Sequence, residues 1–453
     1  MIKKNNEYDG DVIDINHDGQ GVLKIEENYT VFVSNVLVGE RVRIKLIKAK
    51  KTYGYGKLIE ILKPCSDRVL SQCSVSSQCG GCTLCHVDYK TQLFYKKRLV
   101  EENLKRIGKI DVLVEDVIGM DYPLHYRNKA QFPVREVNGK TLIGFYAKNS
   151  HNVISCDNCK IQNPKINCVK DIVEKFIHDN GIRGYNEKTG EIRHILVRVG
   201  NKTGQVMVVL VLNQDKLKNI HVLVEMLKDK VDQLTSVVIN VNNKDTNVIL
   251  GDKSILVWGK EYIEDYIGNL KFRISSKSFY QVNSIQTEIL YSKVLEFANL
   301  TGDETVFDLY CGIGTITLTL ANSAKFVYGV EVVPDAIKNA KDNAKTNHIE
   351  NVEFIEGEAQ KVIPKMYLEG IKADVVVVDP PRKGCDEELL NTLVAMEPKK
   401  IVYVSCNPAT LARDLKFLSE KGFVATKVQP VDMFPMSMHV ESVVLMSRDG
   451  ARQ

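Results

Sequence analysis

Residues 304–315 read Glu-Thr-Val-Phe-Asp-Leu-Tyr-Cys-Gly-Ile-Gly-Thr, and this stretch decides the fold of the C-terminal third of the chain. Its apolar first half predicts a buried strand, and the apolar residues 316–321 that follow the glycines predict a helix. A glycine-rich turn between a strand and a helix lets a ligand approach the backbone closely. Gly312 and Gly314 are therefore predicted to bind a cofactor.

Further strand–helix units surround this turn, and each predicted strand ends at a residue suited to binding or chemistry. Such alternation, from about residue 272 onward, predicts an α/β fold with a doubly wound parallel sheet. In these sheets ligands bind at the carboxyl ends of the strands. The strands and the residues that follow them are 326–330 with Glu331, 351–355 with Gly357, 373–378 with Asp379, and 400–404 with Ser405 and Cys406.

The turn at 310–315 differs from a dinucleotide-binding fingerprint, which requires a third glycine where this chain has Thr317. Glu331, at the end of the next strand, is placed to accept hydrogen bonds from a ribose diol. Together these features favour a class I methyltransferase site, which binds S-adenosylmethionine, over a nicotinamide site. Enzymes of this fold that methylate exocyclic amines carry an aromatic residue after Asp-Pro-Pro, whereas Arg382 follows Pro381 here. Amine methylation is therefore disfavoured.

Cys406 is a candidate nucleophile. A cysteine is commonly a small buried hydrophobe, but this one follows a strand and precedes a predicted helix at 410–422. The positive end of that helix would favour the thiolate. A methyltransferase needs such a thiolate when the target carbon is as inert as C5 of uracil, because addition at C6 makes C5 nucleophilic. A base must then remove the C5 proton; Glu441 is the candidate and His439 the reserve, while an ion-paired surface glutamate is the alternative.

Residues 1–62 read as five short strands separated by turns, which predicts a small closed or nearly closed β-barrel. Eight basic residues and one acid fall between Arg41 and Lys63, so one part of the barrel is positively charged. Such a surface attracts phosphates, although a solvated basic face is also common. Residues 63–275 are predicted to form an α+β central domain, and 276–453 the catalytic domain, against which the segment at about 91–124 packs.

The chain has 11 cysteines, most of them clustered, and lacks both a secretion signal and an apolar run long enough to span a bilayer. We therefore expect a cytoplasmic protein without membrane contact, whose cysteines bind metal or act in catalysis. The spacing Cys73-x5-Cys79-Gly-Gly-Cys82, with Cys159 farther along, suits zinc or an iron–sulfur cluster equally.

Taken together, the motifs resemble those of the RNA uracil-5 methyltransferases in order and spacing, over nearly the whole chain. The matching segments are Ser-Phe-Tyr-Gln-Val-Asn at 278–283, Asp-Leu-Tyr-Cys-Gly-Ile-Gly-Thr at 308–315, Asp-Pro-Pro-Arg at 379–382, Ser-Cys-Asn-Pro at 405–408 and His-Val-Glu at 439–441. Residues 1–62 resemble the TRAM domain that many members carry.

This resemblance implies roles for individual residues. It implies that Gln281, Tyr310, Glu331 and Asp379 bind S-adenosylmethionine, that Cys406 is the nucleophile and Glu441 the base, and that Phe279 and Arg382 contact an unstacked target uridine. The 23S ribosomal RNA members also hold a [4Fe-4S] cluster, which implies Cys73, Cys79, Cys82 and Cys159 as ligands. Cys85 and Cys156 are additional thiols nearby that can replace one of these.

The resemblance also bears on the substrate. Transfer-RNA-specific relatives generally lack both the barrel and the cluster, so 23S ribosomal RNA is favoured over transfer RNA; no obligate protein partner is inferred. Other classes fit less well. A radical methylthiotransferase needs a Cys-x3-Cys-x2-Cys triad that is missing from the sequence, and a cytosine-5 methyltransferase usually has a cysteine where Pro381 stands. A non-catalytic RNA-binding scaffold would have lost Cys406 or Asp379.

Overall fold

The computed structural model describes residues 2–186 and 189–448. Met1 belongs to the first predicted domain and residues 449–453 to the third, and both lie outside the described residues. The N-terminal strands form a closed barrel, as predicted, and their order in it is β1-β2-β3-β5-β4. Their alternating side chains fill it with apolar residues such as Leu23, Val31 and Ile44. The strands are β1 Glu7–Ile15, β2 Gly21–Ile25, β3 Tyr29–Val33, β4 Arg41–Ala49 and β5 Tyr53–Lys63.

The central body is a seven-stranded sheet in the order β12-β11-β10-β9-β6-β7-β8, followed by the hairpin β13-β14. Residues of α2 and α3 pack with those of the sheet in one apolar core. The elements are α1 Tyr89–Asn103, β6 Lys129–Val137, β7 Lys140–Tyr146, β8 Val153–Ser155, α2 Pro164–Asp179, β9 Ile192–Val199, β10 Val206–Leu212, α3 Ile220–Lys230, β11 Leu234–Val241, β12 Lys253–Gly259, β13 Tyr262–Ile267 and β14 Leu270–Ser275.

The C-terminal body has the predicted doubly wound sheet, in the order β17-β16-β15-β18-β19-β21-β20. From β15 the chain first adds β16 and β17 on one side and then β18 and β19 on the other. β21 lies between β19 and β20 and is antiparallel to both. The elements are α4 Ser284–Ala298, β15 Thr305–Leu309, α5 Thr315–Ala321, β16 Phe326–Glu331, α6 Pro334–Thr346, β17 Val352–Glu356, α7 Ala359–Leu368, β18 Val375–Val378, α8 Glu387–Met396, β19 Lys400–Ser405, α9 Pro408–Ser419, β20 Phe423–Val431 and β21 Glu441–Arg448.

The segment from α1 to residue 118 lies against this C-terminal body. Beyond α1 the turn Leu104–Gly108 packs on α9, and Val114 and Ile118 form bridges to Val428 and Val431 of β20. Among the described residues, no helix combines the length and the apolar character that a membrane span requires.

Candidate active site

A cavity of about 700 Å³ opens at the carboxyl ends of β15, β16, β18 and β19, beside the first residue of β21. Parallel strands end at the same edge of a sheet, so residues distant in sequence meet there. The cavity brings together nine of the ten residues predicted to act in binding or catalysis. They are Phe279, Gln281, Tyr310, Gly312, Glu331, Asp379, Arg382, Cys406 and Glu441.

The turn after β15 shapes one wall of the cavity. Tyr310, Gly312 and Gly314 all have positive φ angles, of 68°, 55° and 82°, a conformation that strains the tyrosine and suits the glycines. The Gly312 N–H donates to the Glu331 carboxylate at 3.2 Å, and the Val333 N–H donates to its other oxygen at 2.9 Å. These bonds fix the orientation of Glu331 at the edge of the cavity.

Gly314 is the predicted cofactor residue that does not line this cavity. It caps the N-terminus of α5, and a Cβ at this position would lie 2.9 Å from Cζ of Phe354. The requirement for glycine here thus comes from the positive φ and from packing behind the turn.

Buried carboxylates dominate the electrostatics of the cavity. Burial raises the pKa of Asp379, and burial together with the neighbouring Asp379 raises the pKa of Glu441. Asp308 lies behind the turn, where burial raises its pKa to about 7, although it accepts a hydrogen bond from the Thr317 hydroxyl at 2.5 Å. A cation bound in the cavity would stabilise these carboxylates in their charged forms.

Cys406 is half-buried and follows β19, as predicted, with α9 beginning two residues later. The expectation of a thiolate is not met in the free site, where the thiol form is favoured. Burial, and then the Glu441 and Asp379 carboxylates, raise the pKa of Cys406 to about 11, while Arg382 acts in the opposite direction. Desolvation of a buried thiolate thus dominates the ionisation of Cys406 in the free site.

The loop that carries Arg382 is held by α9. The Arg382 carbonyl accepts hydrogen bonds from Asn407 Nδ2 at 3.0 Å and Thr410 Oγ1 at 3.1 Å. Asp414, fully buried, accepts from the Cys385 N–H at 2.8 Å and from the Tyr403 hydroxyl at 2.6 Å. Sequence reasoning missed Asp414, since one acid within an amphipathic helix gives no signal of its own.

Two further side chains that line the cavity lie between β20 and β21. Phe434 and His439 border it close to Glu441. Burial, and then Arg382 and Lys96, lower the pKa of His439, so this residue is a neutral imidazole at neutral pH. Phe434 was not assigned a role from sequence, although it stands in the Met-Phe-Pro segment that precedes His439.

The predicted cluster ligands meet in a second cavity, of about 300 Å³. Its lining includes the thiols of Cys73, Cys79, Cys82, Cys156 and Cys159. The basic side chains of Arg127 and Lys129 also line it, and the described lining includes no carboxylate. Cys85 is outside this lining and borders a neighbouring cavity, which Cys73, Cys82 and Cys159 also line.

Neighbouring thiols here raise the pKa of three cysteines: Cys156 acts on Cys73, Cys159 on Cys156, and Cys85 on Cys82. Across residues 2–186 and 189–448, no three His, Cys, Asp or Glu side chains surround a common metal position. The structure thus gathers the predicted ligands into one cavity without arranging them in a coordination geometry.

The fold and the cavity define a class I methyltransferase, and comparison with known proteins gives the family. Residues 88–449 match the profile described as tRNA (Uracil-5-)-methyltransferase, and residues 5–59 match the TRAM domain. The chain belongs to the RNA uracil-5 methyltransferase family, which confirms the resemblance found in the sequence.

Relatives of similar length extend this match. An uncharacterized RNA methyltransferase of Halalkalibacterium halodurans is 50% identical over 98% of both chains. One of Clostridium acetobutylicum is 51% identical over 99% of this chain and 98% of its own. The crystal structure of Pyrococcus abyssi tRNA (uracil-54, C5)-methyltransferase in complex with S-adenosyl-L-homocysteine covers 97% of this chain and 99% of its own, with a TM-score of 0.81 and 28% identity.

Proposed function

We propose that this enzyme transfers a methyl group from S-adenosylmethionine to C5 of a uridine in RNA, through a covalent bond between Cys406 and C6. The observation that carries the proposal is the meeting of Cys406, Arg382 and Glu441 in the cavity that Glu331 and Asp379 also line. A thiol and a buried carboxylate in one cleft are what addition at C6 and proton removal at C5 require.

The residues present fit S-adenosylmethionine, which supplies an electrophilic methyl group when bound. The buried Asp379 and Glu441 carboxylates have raised pKa values, and a cationic sulfonium would offset the burial that raises them. We assign Gln281, Tyr310, Gly312, Glu331 and Asp379 to this ligand, with Glu331 accepting from the ribose hydroxyls. The uracil-54 methyltransferase of P. abyssi, solved with S-adenosyl-L-homocysteine, supports the assignment.

The thiolate of Cys406 forms a bond to C6 of uracil, and the electron pair of the C5=C6 bond moves toward O4. C5 becomes nucleophilic and would take the methyl group from the sulfonium; the electron pair of the broken C–S bond would stay on sulfur, and S-adenosyl-L-homocysteine would leave. Glu441 then takes the C5 proton, the double bond reforms, and the Cys406 thiolate leaves. A base with a raised pKa suits this step better than a carboxylate of ordinary pKa. For the same reason Glu441 is preferred to His439, whose pKa is lowered.

Access to C5 requires the target base to leave its stack. Phe279 lines the cavity and is 69% exposed as a residue, so its ring is available to stack on an extruded uridine. Arg382 is assigned to the same base, and its positive charge opposes the rise in the pKa of Cys406.

RNA outside the cavity is assigned to the barrel. Phe32, Tyr53 and Tyr55 form a half-buried aromatic cluster on its outer face, with each pair of ring centroids 5.8 Å apart. Lys50 lies 4.8 Å from the centre of the Tyr53 ring. Aromatic rings beside basic groups bind single-stranded bases and phosphates together. Part of the predicted positive charge is neutralised, because Arg41 and Arg43 pair with Asp11 and Asp9.

We favour 23S ribosomal RNA as the substrate on the resemblance described above, with transfer RNA as the second candidate. The barrel does not separate the two, since the transfer RNA enzyme of P. abyssi aligns with 97% of this chain. Mapping 5-methyluridine in both RNAs, from cells with and without the gene, decides between them. An unchanged pattern in both would contradict the proposal.

A [4Fe-4S] cluster held by Cys73, Cys79, Cys82 and Cys159 is also proposed. The support is a cavity lined by five thiols and by the basic side chains of Arg127 and Lys129. Four thiolates around such a cluster carry net negative charge. Arg127 would balance part of it, and the same charge would favour the protonated form of Lys129, whose pKa burial lowers to about 7. We expect anaerobically purified protein to contain four iron and four sulfide per chain. Cys159→Ser should lose iron, whereas Cys168→Ser on α2 should keep it; stoichiometric zinc would refute the cluster.

The mechanism is tested with two variants. Glu441→Gln should form the bond to C6 but fail to release it, so a covalent RNA–protein adduct should accumulate and survive denaturing electrophoresis. Adding Cys406→Ala to Glu441→Gln should abolish the adduct. An adduct that persists without Cys406 would assign the nucleophile elsewhere.

A further inference from the structure

The loop between β20 and β21, residues 432–440, is anchored by a buried ion pair. Lys96 Nζ lies 2.5 Å from Asp432 Oδ1, and both side chains are fully buried. Lys96 comes from α1 in the N-terminal half, whereas Asp432 is the first residue of the loop. The loop contributes Phe434 and His439 to the catalytic cavity and leads directly into Glu441.

The hydrogen bonds of this pair act on the backbone of the loop. Lys96 Nζ donates to the Phe434 carbonyl at 3.1 Å, and the Phe434 N–H donates to Asp432 Oδ1 at 3.1 Å. The Tyr89 hydroxyl donates to Asp432 Oδ2 at 2.9 Å and accepts from the Met120 N–H at 2.8 Å. The backbone around Phe434 is thus bonded on both sides to one pair of charges.

Neighbouring residues hold the centre of the loop in a strained conformation. Met436 has a φ of 67°, which is unusual for a residue other than glycine. Its carbonyl accepts from the N–H groups of Thr83 and Leu84 at 2.9 and 3.0 Å, and its N–H donates to Gln92 Oε1 at 2.9 Å. Thr83 and Leu84 lie between Cys82 and Cys85, so the cysteine-rich segment also bonds to the loop.

Stability alone does not explain such a pair. Removing two charges from water costs several kcal/mol per ion, and apolar residues of similar volume often give equal or greater stability. An apolar pair would fill the same space but would leave the Phe434 carbonyl and N–H without these partners. What the charges provide here is a defined backbone geometry beside the catalytic cavity.

We infer that Lys96 and Asp432 are positioning residues for the target base, acting through Phe434, His439 and Glu441. The inference rests on the proposed function, because it takes uridine to be the group that meets this wall of the cavity. Glu331 is the last residue of β16 and Gly312 lies on the turn after β15; their described hydrogen bond joins them to each other rather than to the loop. Loss of the ion pair should therefore impair the reaction of the base while sparing the binding of S-adenosyl-L-homocysteine.

The test compares a neutral pair with a matched control. Lys96→Met combined with Asp432→Asn removes both charges and nearly preserves volume. If this double variant is unstable, Tyr89→Phe, which removes one hydrogen bond to Asp432, takes its place. The control is Lys170→Met, since Lys170 is another buried lysine, on α2, that pairs with Asp171 and Glu174. Each change is also made in the Glu441→Gln background, and single-turnover adduct formation with saturating RNA is measured at a temperature where all variants are folded.

We expect the double variant to slow adduct formation by about tenfold or more, because displacements near 1 Å reduce rates to this extent, and Tyr89→Phe to give a smaller loss. The affinity for S-adenosyl-L-homocysteine, measured by calorimetry, should stay within about twofold, and Lys170→Met should react at the rate of the Glu441→Gln parent. Equal adduct rates in the double variant and this parent, or an equal loss in Lys170→Met, would overturn the inference. If the Glu441→Gln parent forms no adduct, the proposed function fails instead.

Discussion

The ionisation of Cys406 offers a direct test of how the cavity controls its nucleophile. With the pKa of Cys406 raised to about 11, about three in ten thousand thiols are ionised at pH 7.5 in the free enzyme, against about one in ten for an ordinary thiol of pKa about 8.5. Alkylation by iodoacetamide requires the thiolate. We therefore expect the rate at Cys406, followed by peptide mass spectrometry, to rise about tenfold per pH unit from pH 7.5 to 10.

Two variants identify the charges responsible. Arg382→Gln removes the cation that lowers the pKa of Cys406, so alkylation should slow across the whole range. Glu441→Gln should have little effect near neutral pH, because the raised pKa of Glu441 keeps it protonated there. It should accelerate alkylation at higher pH, where the wild-type carboxylate is charged. A wild-type rate that levels off below pH 8.5 would refute the burial argument, and identical profiles for all three proteins would refute the role of the charges.

Three further predictions concern the turn, the loop after β18 and the barrel. Gly314→Ala should destabilise the protein by about 1–3 kcal/mol and weaken S-adenosyl-L-homocysteine binding. Gly370 has a similar φ, but a Cβ there would lie in open space. Gly370→Ala should therefore lower the free energy of unfolding less than Gly314→Ala does, as measured by thermal unfolding. Equal losses would contradict the packing argument. Asp414→Ala leaves Tyr403 and the Cys385 N–H without their acceptor, so it should cost about 1–3 kcal/mol and lower kcat. An unchanged kcat would argue against positioning of Arg382. Phe32→Ala or Tyr55→Ala should weaken RNA binding by about 1–3 kcal/mol with an unchanged salt slope, whereas a reduced slope would indicate phosphate contacts instead.

The parts of the fold that follow from local patterns were predictable. Val375–Val378 followed by Asp379, and the glycine turn after Thr305–Leu309, specify a buried parallel strand and its ligand edge without reference to distant residues. The predicted third strand at 351–355 lies at Val352–Glu356. The order of motifs along the chain then implies that their ends meet, because parallel strands share one edge.

Properties that depend on tertiary burial were not predictable. The helix after Cys406 suggested a thiolate, but the pKa of this thiol is governed by desolvation and by Glu441, which lies on another strand. The sequence predicted that Gly314 contacts the cofactor, whereas in the structure the Phe354 ring lies beside this glycine. Lys96 and Asp432 showed no pattern, since neither belongs to a motif and they meet only in the folded chain.

The Lys96–Asp432 pair joins residues 336 positions apart, which bears on the synthesis of the protein. At the usual rate of elongation, about 20 to 70 s pass between the emergence of the lysine and that of its counter-charge. Throughout this time α1 lacks α9 and β20, two elements that it contacts and that are made after it. A chain cut at residue 276 should therefore leave α1 without the body on which it packs, and Lys96 without its counter-charge.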